Sequence, residues 1–335
     1  MIKILVDTLG GDRSPDANIE GAIRALKENK DIEIIFVGDE KVIKEKLTEF
    51  GYNGDRTSIV HAPDVISCND KPTEAIRTKK ESSMYKCFEL LKTEEDVNAL
   101  VSTGSTGALL AGAVLKIGRI PGVKRPAYCP ILPTMKDGLV AVCDSGANVD
   151  CDSQYLWQFA IMGSLYMQKA FGIESPRVAL LNVGVEEEKG DLMRKEVYPM
   201  LKGEGRINFV GNMESRDLLS GNYDVIVCDG FSGNVLVKSA EGACLEVMKL
   251  VKKTFMKSLK TKLGALFLKK DMKVVKNKMD YNNYGGAVLL GAKKTIVKGH
   301  GSSKASAVYH CILQAYNLEK NNLRQEMEKS FKVEE

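Results

Sequence analysis

Several residue types and patterns are scarce in this chain of 335 residues, and each shortage excludes a class of protein. Only three histidines are present, and the eight cysteines form no Cys-x-x-Cys pair and lie at no zinc-like spacing from a histidine. We therefore expect reduced thiols, as in a cytoplasm, with neither a disulfide framework nor a metal site.

Long apolar runs are also lacking, since no stretch of about 18 apolar residues occurs and a membrane-spanning helix needs roughly that length. The first seven residues turn acidic too soon for a signal peptide. Together with an apolar fraction of 44% and a charged fraction of 27%, these features predict a cytoplasmic chain with one large domain or two.

Three common active-site motifs are missing as well. No Gly-Lys-Ser/Thr follows the glycine-rich stretch 102–107, which excludes a Walker loop. Arg13 stands where the dinucleotide fingerprint needs its third glycine, which argues against a nicotinamide dehydrogenase. No Gly-x-Ser-x-Gly elbow is visible, so a serine-hydrolase triad is not indicated.

What the chain does contain is a steady alternation of strand-like and helix-like segments. This alternation predicts an α/β fold with a largely parallel sheet. The proline-rich stretch 118–133 is the best candidate for a crossing between two lobes of the one domain.

Seven of the strand-like runs end in clusters of Gly, Asp, Asn, Ser or Lys. Because the carboxyl ends of parallel strands lie on one edge of a sheet, we expect these clusters to meet at one site. Small residues and backbone N–H groups there suit phosphate or another anion. The clusters are residues 7–12, 102–107, 144–148, 182–190, 211–212, 229–234 and 298–303.

The stretch 102–107 reads Ser-Thr-Gly-Ser-Thr-Gly and leads into a helix of small residues, a geometry that holds phosphate by fixed dipoles. A tight strand-to-helix turn with a Ser or Thr cap fits the same residues. Residues 7–12 are likewise either substrate-facing or a turn capped by aspartate. The candidates from these two loops are Asp7, Gly10, Gly11, Asp12, Ser102, Gly104, Ser105, Thr106 and Gly107.

Two further loops offer catalytic groups. Lys189, beside Gly190, brings an ammonium to a strand end, whereas at least two of the three preceding acids are interpreted as solvated. His300 lies between two glycines, which expose its imidazole for proton exchange or for donation to an oxyanion. The loop 229–234 is either a substrate-facing turn or a two-glycine turn with an Asn cap.

From the remaining clusters we predict further substrate-binding residues at the same edge. They are Asn148, Asn182, Gly184, Asn212, Gly233, Ser302 and Ser303.

The segment 249–278 contains eleven lysines and one acid, whereas the rest of the chain is acidic on balance. An apolar stripe runs through it at helical spacing, so the segment could lie on anionic lipid; a lobe or dimer helix is the alternative. Nucleic acid is disfavoured, because the segment holds no arginine. The predicted membrane-contact residues are Phe255, Leu259, Leu263 and Phe267.

The motifs occur in a fixed order from end to end of the chain. They are Asp7…Gly10-Gly11-Asp12, residues 102–112, Arg125-Pro126, residues 146–149, residues 181–184 with Lys189-Gly190, residues 207–212, residues 229–234, residues 284–287 with 289–291, and residues 300–303. The ordered set resembles the PlsX family of bacterial phosphate acyltransferases. The chain departs from common family residues at Leu9, Ser105, Val288 and Lys304, but keeps the glycines of the loops.

The resemblance implies that a long-chain acyl group passes from acyl carrier protein to inorganic phosphate, giving acyl phosphate for phospholipid synthesis. It implies one domain over residues 1–335 with a Rossmann-like three-layer α/β/α fold, related to phosphate acetyltransferases and isocitrate dehydrogenase-type enzymes. It further implies a homodimer without metal or nucleotide cofactor. The hairpin 249–280 would contact the inner face of the membrane, near a membrane acyltransferase that takes the product.

The reaction sets the roles expected of the candidate residues. Because a thiol has a pKa near about 8.5, expelling a thiolate needs little acid catalysis, so holding phosphate and stabilising the oxyanion are the main tasks. We expect residues 102–107 and Lys189 to bind phosphate, His300 and Asn234 to serve the oxyanion or a proton, and Asp229 to orient a cation or the histidine. Alanine at His300 or Lys189 should lower kcat at least about 100-fold.

Two other functions fit part of the pattern. One is a phosphate acetyltransferase that uses a small acyl group on coenzyme A. The other is a non-catalytic scaffold that binds carrier protein at the membrane.

Overall fold

The computed structural model describes residues 1–279 and 281–332, and these form two mixed, mostly parallel sheets with helices against their faces. The first sheet has seven strands. In spatial order they are β3 (Thr57–His61), β2 (Ile32–Gly38), β1 (Ile2–Asp7), β4 (Val97–Ser102), β12 (Thr295–Lys298), β11 (Ala287–Leu290) and β5 (Ala127–Cys129).

The second sheet has five strands. In spatial order they are β6 (Ile131–Pro133), β7 (Leu139–Cys143), β10 (Val225–Val227), β8 (Arg177–Asn182) and β9 (Asn208–Glu214). The chain passes from the first sheet to the second at Pro130, within the proline-rich stretch, and returns with β11.

Eleven α-helices lie in the described residues. They are α1 (Asp16–Glu28), α2 (Glu40–Glu49), α3 (Pro72–Thr78), α4 (Ser83–Thr93), α5 (Thr106–Gly112), α6 (Ser153–Phe171), α7 (Leu192–Lys202), α8 (Gly230–Phe255), α9 (Leu259–Met279), α10 (Ala305–Lys320) and α11 (Leu323–Ser330). This alternation with strands confirms the predicted α/β fold.

The first sheet is covered on both faces, which explains why its central strands are continuous apolar runs. In β1, Ile4 and Val6 pack with α1 and α10, whereas Leu5 points to the other face and packs with α4 and α5. The register is parallel, with Val6 of β1 opposite Phe36 of β2. The helices on the two faces and the sheet between them form the predicted three-layer α/β/α arrangement.

Helix α6 joins the two sheets into one core. Its Phe159 and Met162 belong to the same buried cluster as Val178 and Val225 of the second sheet and Val297 of the first. The hydroxyl of Tyr166 on α6 accepts a hydrogen bond from Gln314 on α10 at 2.6 Å. Burial of this single apolar cluster fixes how the two sheets face each other.

Helices α8 and α9 form a long hairpin with a short turn between them. Only the first two turns of α8 are buried, at Gly230, Gly233 and Val237. The predicted segment 249–280 covers the end of α8, the turn and α9; residue 280 lies outside the described residues. Within 1–279 and 281–332, no helix has the length and hydropathy needed to cross a bilayer.

Candidate functional site

The carboxyl ends of β1, β4 and β12 meet at one edge of the first sheet, and Asp7 anchors them. Its buried carboxylate accepts hydrogen bonds from the hydroxyls of Ser83 at 2.6 Å and Ser102 at 2.7 Å. Because both carboxylate oxygens have these partners, Asp7 shapes the loops.

The loops that follow these strands approach each other closely through glycine. A Cβ on Gly10 would lie 2.6 Å from the backbone N of Gly104, so a side chain there would separate the two loops. The Asp12 N–H donates to the Gly301 carbonyl at 2.8 Å, and the Gly299 N–H donates to the Ser102 carbonyl at 2.9 Å. Loops 7–12, 102–107 and 298–303 therefore converge.

The 102–107 loop is held by its own hydroxyls. The Ser102 hydroxyl accepts from the Gly104 N–H at 3.1 Å, and the Ser105 hydroxyl caps α5 by accepting from the Ala108 N–H at 3.5 Å. Gly107 packs against Pro72, where a Cβ would come within 2.8 Å of the ring. Thr106 begins α5 and offers its carbonyl to the hydroxyl of Tyr128 at 3.2 Å.

Lys298 places a buried ammonium among these loops. The residue is only 8% exposed, and the ammonium donates to the carbonyls of Thr103, at 3.4 Å, and Gly299. Burial lowers the pKa of Lys298 to about 8. No carboxylate of the described chain lies within ion-pair distance of it, and the charge of Asp7 acts on it only from farther away. A buried cation of this kind favours an anionic ligand.

Ser303 belongs to the same loop as Lys298 and has an unsatisfied hydroxyl. Its side chain is buried, and its hydroxyl has no hydrogen-bond partner within the described residues. A Cβ on the intervening Gly299 would stand 3.5 Å from that hydroxyl. Because buried hydroxyls are normally paired, an orphaned one in the loop that carries a buried ammonium without an ion-pair partner indicates a ligand-binding site.

His300 stands at the solvent edge of the same loop. Its Nδ1 accepts from the Ser302 backbone N–H at 3.2 Å and lies 2.8 Å from the Ser302 hydroxyl, so the neutral imidazole carries its hydrogen on Nε2. Loss of hydration and the charge of Lys238 lower the pKa of His300. The lowered pKa favours the neutral ring, whose Nε2–H is a donor.

The second sheet contributes its own strand ends, centred on the buried Asp144 that follows β7. Its carboxylate accepts from the backbone N–H groups of Tyr128, Ala147 and Asn148 at 2.6 to 3.2 Å, and from the Asn148 amide at 3.0 Å. Burial raises the pKa of Asp144 to about 6, although these donors oppose the shift. Asp144 thus orders the 144–148 loop.

Helix α8 begins directly against this loop. The Gly230 N–H donates to the Asn148 carbonyl at 2.7 Å. Asn234, one turn later, lies beside Gly146, where a Cβ would be 2.8 Å from its amide nitrogen. Gly146 has φ of 111°, which glycine adopts readily. Asn234 is therefore presented at the edge of the second sheet.

Asp229 caps α8 and is paired with Arg194. Its Oδ1 accepts from the Ser232 N–H, and its Oδ2 accepts from the Arg194 guanidinium, both at 2.8 Å. Burial would raise the pKa of Asp229, but the bonds from Ser232 and Arg194 outweigh it and lower the pKa. Arg194 also donates to the Leu181 carbonyl at 2.8 Å, so this pair ties β8 to α8. The cation beside Asp229 is thus Arg194.

Asn182 ends β8, and Lys189 lies in the loop that follows it. The Asn182 amide donates to the Lys189 carbonyl at 3.1 Å, and Gly184 lies against the Lys189 stem. Asn212 donates from β9 to the Glu186 carbonyl at 2.7 Å, while its buried Oδ1 has no partner in the part of the chain described. The Lys189 side chain is exposed.

The two groups of loops are linked across a cleft. Tyr128 spans it, since its backbone N–H donates to Asp144 while its hydroxyl donates to the Thr106 carbonyl. Lys238 of α8 acts electrostatically on both His300 and Lys298 of the first sheet. The structure therefore brings His300 next to the 102–107 loop, whereas Lys189 lies with the second-sheet loops.

Gly233 gives a direct test of how tightly α8 meets the site. A Cβ on Gly233 would lie 1.9 Å from the Asp144 carbonyl oxygen, so Gly233→Ala should lower the free energy of unfolding by at least about 2 kcal/mol. Gly242→Ala, on the same helix with open space around it, should raise it by up to about 1 kcal/mol. Chemical denaturation of both variants measures the difference, and equal stabilities would contradict the close packing.

Sequence reasoning missed three charged groups of the site. Lys298 and Asp144 were present in the clusters at strand ends, but nothing in the sequence indicated that they are buried. Arg194 lies outside the clusters, and no sequence signal marked it. In the described residues, no group of three or more His, Cys, Asp or Glu side chains is placed to hold a metal ion.

Comparison with known sequences matches nearly the whole chain. A family model described as "Fatty acid synthesis protein" matches residues 2–326. Two relatives are named "Phosphate acyltransferase". The protein of Thermoanaerobacter pseudethanolicus is 46% identical, covering 96% of this chain and 95% of its own. That of Caldanaerobacter subterraneus subsp. tengcongensis is 45% identical, covering 99% and 98%.

Comparison with solved structures shows the fold. A phosphotransacetylase from Streptococcus pyogenes superposes with a TM-score of 0.62 at 18% identity, over 95% of this chain and 94% of its own. A branched-chain phosphotransacylase from Enterococcus faecalis gives 0.55 at 15% identity, over 95% and 99%. The predicted relation to the phosphate acetyltransferase fold is confirmed.

Proposed function

This chain belongs to the PlsX family of phosphate acyltransferases, and on that premise we propose that it transfers a long-chain fatty acyl group from acyl carrier protein to inorganic phosphate. The chain is an acyltransferase, as its relatives are named. The proposed product is acyl phosphate, which a membrane acyltransferase would use in making phosphatidic acid. Inorganic phosphate is the acceptor of the acyl group, so the site must bind it.

The observation that carries the proposal is the buried ammonium of Lys298. Orthophosphate would be the ion-pair partner that this ammonium does not find in the described chain. The orphaned Ser303 hydroxyl would donate a further hydrogen bond to it. Loop 102–107 adds small residues that let phosphate approach the backbone. Gly10, Gly11 and Gly104 support the proposal by keeping the cradle free of side chains.

The chemical step is displacement at a thioester. A phosphate oxygen attacks the carbonyl carbon, the new C–O bond forms, and the C–S bond breaks to release the thiolate of the carrier arm. Negative charge builds on the carbonyl oxygen between these events, so a fixed donor lowers the barrier. We assign this donor role to the Nε2–H of His300, an exposed residue of the 298–303 loop that meets the 102–107 loop.

We assign the loops of the second sheet mainly to the thioester substrate and its carrier. Asn234 would bind the thioester carbonyl or the carrier arm, and Lys189 would supply a second cation for phosphate or for the acidic carrier protein. Asp229 acts through Arg194, so it is a positioning residue for α8. Asn148, Asn182, Gly184 and Asn212 would shape the same wall.

Product analysis tests the proposal. Purified protein is incubated with phosphate and either a long-chain acyl carrier protein or acetyl coenzyme A, and acyl phosphate is trapped with hydroxylamine. We expect acyl phosphate from the carrier protein at a rate at least about 100-fold above that from acetyl coenzyme A. The reverse preference would make the chain a small-acyl phosphate acetyltransferase. Tight carrier binding without product would restore the scaffold hypothesis.

The helical hairpin supports contact with a membrane surface. Leu259, Leu263 and Phe267 are 85%, 62% and 80% exposed, whereas Phe255 is half-buried. Exposed apolar side chains flanked by lysines suit a membrane interface, where anionic head groups lie next to an apolar layer. We propose that α9 lies on the inner face of the cytoplasmic membrane and that the protein itself stays in the cytoplasm.

Vesicle sedimentation measures this contact. We expect binding to vesicles with anionic lipid, and the double variant Leu259→Ser with Phe267→Ser should weaken it at least about tenfold, because two apolar side chains leave the interface. Leu115→Ser, an exposed leucine outside the hairpin, is the matched control. Turnover with carrier protein in solution should remain within about twofold. Unchanged sedimentation of the double variant would remove lipid as the hairpin's partner.

A second copy of the chain is the remaining proposed partner. Beyond its first turns α8 exposes Leu245, Val247 and Leu250, and apolar patches of this kind are commonly covered in oligomers. A homodimer would cover them while leaving α9 for the membrane. The lysine-rich segment carries no arginine, so nucleic acid is not proposed as a partner.

A further inference from the structure

A second cavity lies at the opposite edge of the first sheet from the reaction site. Its volume is about 820 Å³, which is within the range of small-molecule sites. It is bordered by the end of α4, the β11–β12 turn, α11 and the segment that follows α5. The cavity lies at the start of β4. Lys294 of its lining donates from its ammonium to the carbonyl of Val97, the first residue of that strand, at 2.6 Å.

The cavity has a cationic rim. Its lining includes Lys92, Lys293, Lys294, Arg324, Lys329 and Lys332, against one carboxylate, Glu328. That carboxylate is bound to Arg324 at 2.7 Å, and Lys329 pairs with Glu326 at 2.9 Å. Lys92, Lys293 and Lys332 have no carboxylate within ion-pair distance in the described residues. An unneutralised positive charge therefore remains on the rim.

The floor of the cavity is apolar. Leu91 is fully buried in the core beneath the sheet, Ile117 packs against that core, and Pro121 closes one side. The aliphatic stems of the rim lysines extend this surface, because lysine covers apolar area while its ammonium reaches water. A hydrophilic anion such as phosphate alone would leave the floor unmatched, and a neutral apolar molecule would leave the rim unmatched.

The cavity is separate from the reaction site. Strand β4 runs from Val97 at the cavity to Ser102 at the phosphate loops, and six residues at about 3.3 Å each span roughly 17 Å. Ala99, Leu100 and Val101 between them are buried, so no open channel follows this part of β4 from one site to the other. A ligand here would be held at the other end of the strands that carry Ser102 and Lys298.

We propose that this cavity binds a single-chain acyl anion, a fatty chain that ends in a carboxylate or a phosphate. The chain would lie on Ile117 and Pro121, over the core that contains Leu91, and the head group would pair with Lys293 and Lys332. The inference rests on shape and charge at this cavity and does not depend on the proposed reaction.

Calorimetric titration tests it. The probes are dodecyl phosphate and laurate, below the concentrations at which they form micelles, with dodecanol and inorganic phosphate as probes that lack one half of the chemistry. The titrations use full-length Lys298→Met protein, which silences the proposed reaction site. We expect one equivalent of at least one acyl anion to bind, at least about tenfold more tightly than dodecanol. The anion that binds identifies the head group.

A double variant of exposed rim lysines, Lys293→Gln with Lys332→Gln, should weaken this binding at least about tenfold without changing the melting temperature. Lys136→Gln with Lys202→Gln removes the same charge from the second sheet's surface and should leave affinity within about twofold. Ile117→Glu, which places a carboxylate in the floor, should also abolish binding. No binding by either anion, equal binding of dodecanol, or equal losses in rim and control variants would overturn the proposal.

Discussion

Replacing Lys298 by methionine is expected to raise KM for phosphate at least about 100-fold, with the melting temperature retained or increased. The ammonium is buried without a carboxylate partner, so it is the strongest fixed attraction for a phosphate dianion in the cleft. Methionine keeps the length of the side chain and removes the cost of burying a charge. Steady-state rates at varied phosphate, with thermal unfolding of the same samples, measure both effects.

The pH dependence of KM gives a second readout of the same ammonium. Because the pKa of Lys298 is lowered to about 8, the charge is lost as pH rises above that value, and KM for phosphate should increase by up to about tenfold per pH unit. In Lys298→Met this increase should vanish. Lys41→Met, an exposed lysine of α2, should leave both KM and its pH profile unchanged. A normal KM in Lys298→Met would exclude the ammonium from phosphate binding.

The lowered pKa also has a defined effect on stability. Between about pH 8 and the ordinary lysine pKa of 10.5, the unfolded chain binds a proton that the folded chain does not. The contribution of Lys298 to the free energy of unfolding therefore rises with pH in this window. The sign of this pH dependence distinguishes a buried charge that destabilises the fold from a paired charge, whose contribution to the free energy of unfolding would fall with pH. Denaturation at several pH values, with Lys298→Met as reference, separates the two.

Replacing His300 by alanine is expected to lower kcat about 100- to 1000-fold while KM for phosphate changes little. The Nδ1 of His300 is held by Ser302, which orients the ring and places the hydrogen of the neutral imidazole on Nε2. Loss of one fixed oxyanion donor removes stabilisation that exists only in the transition state. His300→Gln keeps an N–H donor and should recover part of the loss.

Histidine elsewhere in the chain provides the control. His61 lies at the end of the edge strand β3, two strands from β1, and accepts from the Glu40 N–H, so His61→Ala should turn over within about twofold of the native chain. Since the pKa of His300 is lowered, any acid limb in kcat should lie below the ordinary histidine value. Near-native kcat in folded His300→Ala protein would assign the oxyanion to another donor.

The loops that meet at the first sheet were predictable because strand period and turn chemistry are local properties. The apolar run at β1 and the glycine-rich ends of β1, β4 and β12 predicted that their loops share one edge, and the close approach of Gly10 and Gly104 agrees with this. The exposed, lysine-rich character of α9 was also predictable from the sequence. Each of these features depends on residues that are neighbours in sequence or follow a strand end directly.

The sequence by itself therefore determined the α/β class, the family and the positions of the polar loops, since these depend on short-range patterns and on their order. Tertiary structure alone decided that Lys298 is buried without a carboxylate, that Arg194 pairs with Asp229, and that Asp144 is enclosed by backbone donors. Burial and charge pairing depend on segments far apart in sequence, which only packing around α6 and α8 brings together. The chemistry of the site follows from that packing, because dehydration sets the strength and the pKa of each charge.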